Sequence, residues 1–481
     1  MGILNCTTSG MATYVPSQTI PWNKNRVQHL FRRMGFGLPP NLIETALAMS
    51  PESLVDLLID EAIALPLSTP PEWADWPISR YGEPQEYIQQ AISWAVQWTG
   101  DMLKNGFREK MTLFWHNHFV TELETYRCPS WQYQYHKVLQ ENALGNFKRF
   151  VVEIGKTPAM LVYLNGVQST RREPNENYAR ELYELFTLGR DNGYTQQDIE
   201  ETSRALTGWN SVTELCAPIQ FFPLSHDSGR KTIFGRTGNW GYEDVHDLLF
   251  EERANEIATF ICTKIYRHFV SPNIEESIVA EMADTFKTNN FEIVPVLRQL
   301  FKSEHFFDDK IIGTQIKSPI EFFLTLVTEW GLQEPNQDVI YSILLAASQL
   351  GQSLFNPVDV AGWQEDRAWM DSNTISIRWQ VASNIVLNIY ENNPSLLVEL
   401  ARYLSDDSND PYHITEMVAE HMLTNGFANE AEYERATTVL KGEVPENYFE
   451  DGYWNLDWET APAQVASLVN YLVRQPEFQL M

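Results

Sequence analysis

The feature that most constrains this chain is a helical repeat of apolar residues that recurs over most of its length, cut into segments by glycine and proline. Asn25 to Met34 puts Val27, Leu30 and Phe31 on one face, and Gly35-Phe36-Gly37 ends that segment. Leu42–Met49 and Ser53–Ala64 read as two short helices, with Ser50 or Ser53 as a cap. Residues 65–84 carry five prolines and make a connection rather than an element. The pattern resumes from Glu86 to about Phe119, interrupted near Gly100 and Gly106. It returns from Trp131 to Ile154 with a break near Gly145, and from Asn175 to Leu188 with Gly189 as its terminator. Thr195-Gln-Gln-Asp198 is a capping-box pattern that opens a further helix.

Residues 211–245 depart from this rhythm. Gln220-Phe-Phe-Pro, then His226-Asp-Ser-Gly229, then Lys231-Thr-Ile-Phe234 reads as strand, tight turn and returning strand. The expected fold class is therefore mainly α: a large multi-helix, bundle-like body with a small β-hairpin or loop insertion around residues 218–240. The expected organisation is an extension over 1–24, a helical lobe over 25–210, the insertion over 211–245, a central helical lobe over 246–392, and an acidic helical segment over 393–481. Within the last, Glu443 to Glu459 mixes acids with Tyr448, Phe449, Tyr453, Trp454 and Trp458, which look exposed.

Composition enters where it bounds function. With 43% apolar residues in 481, the chain can bury a sizeable core and is not disordered. Its formal charge of −29 disfavours nucleic acid and anionic lipid surfaces as partners, and suits solubility, cations or metal ions. Cys6, Cys128, Cys216 and Cys262 are widely spaced and form no C-x-x-C pair, so the expectation is small buried residues rather than a zinc ribbon or a disulfide scaffold. Met1-Gly2 lacks the Ser or Thr that a myristoylation signal needs at the sixth position, since Cys6 stands there. No signal-peptide apolar run and no membrane-length apolar stretch is present, so the expected location is cytoplasmic.

Three groups of residues could carry chemistry. Asn177, Glu181 and Glu184 are spaced to share one helix face, with Tyr178, Leu182 and Leu185 opposite. Two carboxylates facing inward need a cation, an arginine or a shared proton. The structural alternative is an ion-pair network with Arg180, Arg32 or Arg33; the functional one is a catalytic acid/base pair or carboxylate ligands to a metal. His116 and His118 point roughly 200° apart on a regular helix, so both reach one metal only where the helix ends. Each is otherwise a core histidine beside Phe114, Trp115 and Phe119. Last, His226 and Asp227 precede Gly229, Arg230 and Lys231, either as a binding and catalytic loop or as a turn in which Asp227 caps the backbone. Trp209, Trp240, Trp363 and Trp369 could line a carbohydrate groove or plug the core. No phosphate-binding glycine loop, H-E-x-x-H or nucleophile elbow occurs.

Nine ordered segments carry a resemblance. They are His29-Leu-Phe-Arg-Arg-Met-Gly-Phe-Gly37, Phe114-Trp-His-Asn-His-Phe119, the stretch from Asn175 to Gly189, Tyr194-Thr-Gln, Arg204-Ala-Leu-Thr-Gly-Trp209, His226-Asp-Ser-Gly-Arg-Lys231, Lys317-Ser-Pro319, Pro357-Val-Asp-Val-Ala-Gly-Trp363 and Pro476-Glu-Phe-Gln479. Over about residues 25 to 480 the chain resembles the bacterial family called domain of unknown function 1800. That resemblance implies no reaction. It implies frequent export, and a partnership with sulfatase-like proteins of the family called domain of unknown function 1501.

Two functions follow as expectations. One is a soluble binding or assembly protein with a polar cavity of histidines and carboxylates. The alternative is a hydrolase using a divalent metal, held by His116, His118, Glu181 and Glu184, with Glu181, Glu184, His226 and Asp227 as catalytic groups. Asn177, Arg180, Arg32, Arg33, Lys231 and Trp209 are the binding residues of either.

Overall fold

The computed structural model describes residues 9–210, 212–332 and 335–481. Met1, Gly2 and Cys6, on which the N-terminal readings fall, lie outside the described residues. The fold is mainly α, with one two-stranded antiparallel sheet among the described residues. No described helix is long and apolar enough to cross a membrane.

At the centre lies the helix Pro319–Glu329, in which every residue except Thr328 is buried. Its sequence is apolar on all sides, which only an enclosed helix tolerates. Ser318 and Glu321 form a capping box at its start, and Pro319 occupies the first turn where its missing N–H costs nothing. Each of its two carboxylates must then find a cation inside. Glu321 pairs with Lys110 on the equally buried helix Phe107–His118. Glu329 takes a bidentate pair from Arg32 on the helix Lys24–Met34, at 2.7 and 2.9 Å. Arg32 spends its other donors on Thr424 Oγ1 and on the carbonyls of His421 and Met422. A buried pair of this kind is costly to break, by about 3–5 kcal/mol, because the stranded partner stays charged in the interior. Two ion pairs thus join the N-terminal helices and the helix Pro411–Met422 to one strut.

The apolar interior is continuous from Tyr14 to Phe478. Expected helix breaks fall where glycine stands: Gly106 divides Pro84–Asn105 from Phe107–His118, and Gly145 lies between Pro129–Asn142 and Phe147–Ile154. Gly100 makes no break, because the helix runs through it to Asn105.

Three expectations are corrected. The hairpin is real but lies later than its sequence reading. Strand β1 is Lys231–Ile233 and β2 is Arg236–Gly238, with Lys231 opposite Gly238. Its turn is Phe234-Gly235, both at positive φ (48° and 78°), the two-residue form whose twist matches a hairpin. Pro223–Ser225 is a 3₁₀ turn instead of a strand. Second, Cys128 and Cys216 form a disulfide, although a core this large needs no such staple to fold. Third, the aromatics of 443–459 are not uniformly exposed. Trp454 is fully buried and donates to Gln464, whereas Tyr453 stands 63% exposed.

Burial also sets how the protein meets acid. His29, His116, His118, His136, His246, His268 and His421 are held away from bulk water, which disfavours the imidazolium, and this desolvation is the largest cause of each lowered pKa. His116 and His268 are pushed down to about 3, and His246 and His421 to about 4. A histidine with a lowered folded-state pKa binds its proton in the unfolded chain first, so stability is present at neutral pH and is lost as pH falls below about 6.5. Each such group costs about 1.4 kcal/mol per pH unit between its unfolded and folded pKa, so several acting together weigh against the marginal stability of a domain. Cooperative unfolding is expected between about pH 6 and pH 4.5, followed by near-ultraviolet circular dichroism and tryptophan fluorescence. A native spectrum retained at about pH 4 would refute the assignment.

Candidate functional site

The three sequence-derived groups fall in different places. Asn177 to Thr187 begins as α-helix (Asn177–Glu181) and continues as π-helix (Leu182–Thr187), so the face expected from α spacing does not run true through the segment. The wider turn shows in the amide of Leu188, which reaches back to the carbonyl of Tyr183 at 2.9 Å. Asn177 is exposed and its backbone N–H donates to Asn175. Glu184 pairs with Arg180 at 3.2 Å, and Arg180 also holds Glu176 and Gln196. Glu181 is half-buried; burial first, and Glu184 second, raise its carboxyl pKa. The network with Arg180 is present. Arg32 takes no part, being committed to Glu329, and Arg33 donates to the carbonyls of Val270 and Met481 instead.

His226 and Asp227 form a structural turn. The Asp227 carboxylate accepts from Arg204 Nε and from the Gly229 amide, both at 2.8 Å, and Lys231 Nζ donates to the carbonyls of Asp227 and Gly229. The His226 Nδ1–H donates to the Thr207 carbonyl at 3.0 Å. Trp209 packs on Tyr242 and Phe221, with Lys156 above its ring.

His116 and His118 diverge, as helix geometry requires. The His118 Nε2–H donates to the Phe186 carbonyl, and its Nδ1 lies 3.2 Å from Lys264 Nζ. His116 Nε2 accepts from the Phe355 amide at 3.1 Å. Among the described residues no group of three or more His, Cys, Asp or Glu is placed to hold a metal ion. The expected union of Glu181, Glu184, His116 and His118 as a metal set is therefore not assembled. Each of those side chains except Glu181 is already engaged.

What His116 does instead leads to a site. Between the helices Gln337–Gln349 and Ser372–Asn392 runs a long loop with only a short 3₁₀ turn, Asp366–Trp369. Long ordered loops in a compact body are a usual place for binding. Four of the ties that lace this one down bear on the site. Gln352 accepts from the Ile320 amide at 2.8 Å, and His116 holds Phe355. Asn117 Oδ1 accepts from the Trp363 amide at 2.6 Å, and Asp366 from the Ile316 amide at 3.1 Å. Gly362, at φ 99°, passes so close to Asn117 that a Cβ there would lie 2.4 Å from its Oδ1, so this approach needs glycine.

The lacing raises one wall of a cavity of about 330 Å³. Asn117, Gln315, Gln352 and Gln364 contribute amides to it, and Trp363 and Trp369 contribute aromatic edges. Arg267, His268, Ser318, Glu321, Glu365 and Asp366 complete its polar lining. Burial alone would raise the Glu321 carboxyl, but Lys110, His268 and the Ser318 amide outweigh it and hold the group down to about 2. At neutral pH the cavity offers several amides, the side chains of Arg267, Asp366 and Glu365 (the last with its carboxyl pKa raised by burial), the neutral His268 imidazole and the fixed Glu321 carboxylate. A carboxylate so stabilised is a poor general base and no general acid. Sequence reasoning quoted both Phe114–Phe119 and Pro357–Trp363 and named Trp363 and Trp369 as candidates for a groove, yet did not join them to Asn117, His268 or Glu321. The available signal was a glycine-tryptophan motif in a loop too long to be a mere connection.

A family model described as "Protein of unknown function (DUF1800)" matches residues 29–480, and the chain belongs to that family. No curated protein and no solved structure matches it.

Replacing Asn117 by Ala removes one of these laces and leaves a buried amide unpaired, a loss of about 1–3 kcal/mol. Hydrogen exchange read by mass spectrometry is expected to rise across residues 355–366 while the helix Pro319–Glu329 stays protected. Unchanged exchange in that loop would show that the lace carries no weight.

Proposed function

We propose, from membership of a family that lends no reaction, that this protein is a binding protein whose ligand is a small, polar, hydrogen-bonding solute held under the 350–371 loop. One observation carries the reading: four amide side chains and two tryptophans meet in a hollow of about 330 Å³, together with Arg267 and three acidic side chains, Glu321, Glu365 and Asp366, of which Glu321 is neutralised by Lys110. Amides both donate and accept, so they suit a hydroxyl- or amide-bearing ligand, and the volume fits a molecule of monosaccharide or amino-acid size. Glu321 and His268 are each locked in one protonation state near neutral pH, which favours recognition over proton transfer. Assembly with a second polypeptide belongs to the same reading; the sulfatase-like partner implied by the resemblance is one candidate.

Calorimetry with monosaccharides, disaccharides and simple amides tests the cavity. Saturable one-to-one binding is expected for a member of the panel, weakened roughly tenfold in Gln364→Ala, whose side chain is exposed at the mouth and whose loss leaves folding intact. Equal affinity in that variant, or no binding by any probe together with an empty cavity in native mass spectrometry of protein from its own host, would sink the reading.

The Cys128–Cys216 bond favours an oxidising compartment as the place of action, since such bonds are short-lived in a reducing cytosol. Alkylation of protein taken from its host, before and after reduction, is expected to reveal two thiols only after reduction; their labelling beforehand would return the protein to the cytoplasm.

A further inference from the structure

A second hollow, unconnected with the cavity's chemistry, lies where the helices Pro84–Asn105 and Gln337–Gln349 pack side by side. Each helix turns an apolar ridge to solvent. On the first, Ile88 and Ile92, one turn apart, are 49% and 41% exposed; on the second, Tyr341 and Leu345, again one turn apart, are 41% and 47% exposed. Between the ridges is a groove of about 500 Å³, floored by Ala91, Ala95, Leu344 and Leu354. Large apolar side chains left in water at this density mark an interaction surface far more often than an accident of folding.

We propose that this groove docks a basic, amphipathic α-helix of a second polypeptide. The shape argument is that two parallel ridges with i, i+4 spacing and a trough between them form the complement of a helix presenting apolar residues at i, i+3, i+4 and i+7. The charge argument chooses the partner. Glu124 lines the groove; Glu83 is the N-cap residue of the first helix, one turn before the lining residue Tyr87, and Asp338 lies in the first turn of the second, one turn before Tyr341. All three are exposed, and none makes an ion pair among the described residues. Arg127 is the one basic residue in the lining.

A second copy of this chain would bring the same acids face to face, on a body already carrying −29, and an anionic lipid surface would be repelled likewise. A lysine- or arginine-bearing helix satisfies both the ridges and the rim. The groove also shares a wall with the cavity's loop, since Ser353, Leu354 and Asn356 line it while Trp363 to Asp366 line the cavity.

The test uses the full chain and three synthetic peptides of about 14 residues, roughly four helical turns. One is a leucine/lysine sequence patterned to be amphipathic as a helix, one the same composition scrambled, and one a leucine/glutamate counterpart. At about 150 mM salt, where loose charge attraction is screened, the patterned basic peptide is expected to bind one-to-one and at least about tenfold tighter than either control. The Ile92→Asp, Leu345→Asp double variant changes only exposed positions and is expected to keep its thermal midpoint while losing that preference. The proposal is overturned if the scrambled or the acidic peptide binds as well, or if the double variant binds the patterned peptide as wild type does. It is also overturned if sedimentation shows a dimer that the double variant dissolves, which would make the occupant a second copy.

Discussion

Two carboxylates on one enclosed helix govern how the rest of this molecule is arranged. The helix Pro319–Glu329 is apolar on every side and has no solvent face on which to carry charge, so Glu321 and Glu329 must each be met by a cation from another element. Lys110 and Arg32 supply them, and in doing so they fix the helices Phe107–His118 and Lys24–Met34 against the strut. Because Arg32 also binds Thr424 and two carbonyls of the C-terminal region, a single guanidinium ties together segments almost four hundred residues apart. Planar, five-donor geometry lets arginine do this where lysine could not.

The same burial that forces these pairs explains the histidines. An imidazole in apolar surroundings is kept neutral and can then act as an oriented donor or acceptor. His421 donates to the Glu329 carbonyl, His118 to that of Phe186, and His116 accepts from Phe355. Side chains that looked like metal ligands are in fact fasteners of the backbone. In the helix Phe107–His118, the adjacent residues His116 and Asn117 serve one purpose: both hold the long loop that walls the cavity.

That loop is where rigidity and access meet. One side of it faces the amide-lined cavity and the other borders the apolar groove, so a ligand on either side rests on the same backbone. Its shape depends on distant contacts, at Ile320, His116, Asn117 and Ile316 among others, as well as on its own turns. The loop's glycine at 362 matters because it lets the chain pass Asn117 closely, a fact visible only once the two segments are side by side.

Much of the architecture was legible in the residues. Apolar periodicity located the helices, glycines at 106 and 145 their breaks, and Thr195 with Asp198 a reciprocal cap that the structure contains. Local chemistry decides such features, since propensity, capping and the 3.6-residue repeat act within a few residues. The polar residues were harder. Glu181 and Glu184 were read on an α-helical face that a π-helical stretch disrupts, and His226-Asp227 was readable equally as a site or as a turn. Cysteines 88 positions apart gave no sign of their bond. By itself, then, the sequence determined the class of fold, the helix ends and the family. Tertiary structure alone decided which charges are paired, which histidines are spent, and where a hollow remains, because these depend on which segments meet, and a partner from hundreds of residues away leaves no mark on local pattern.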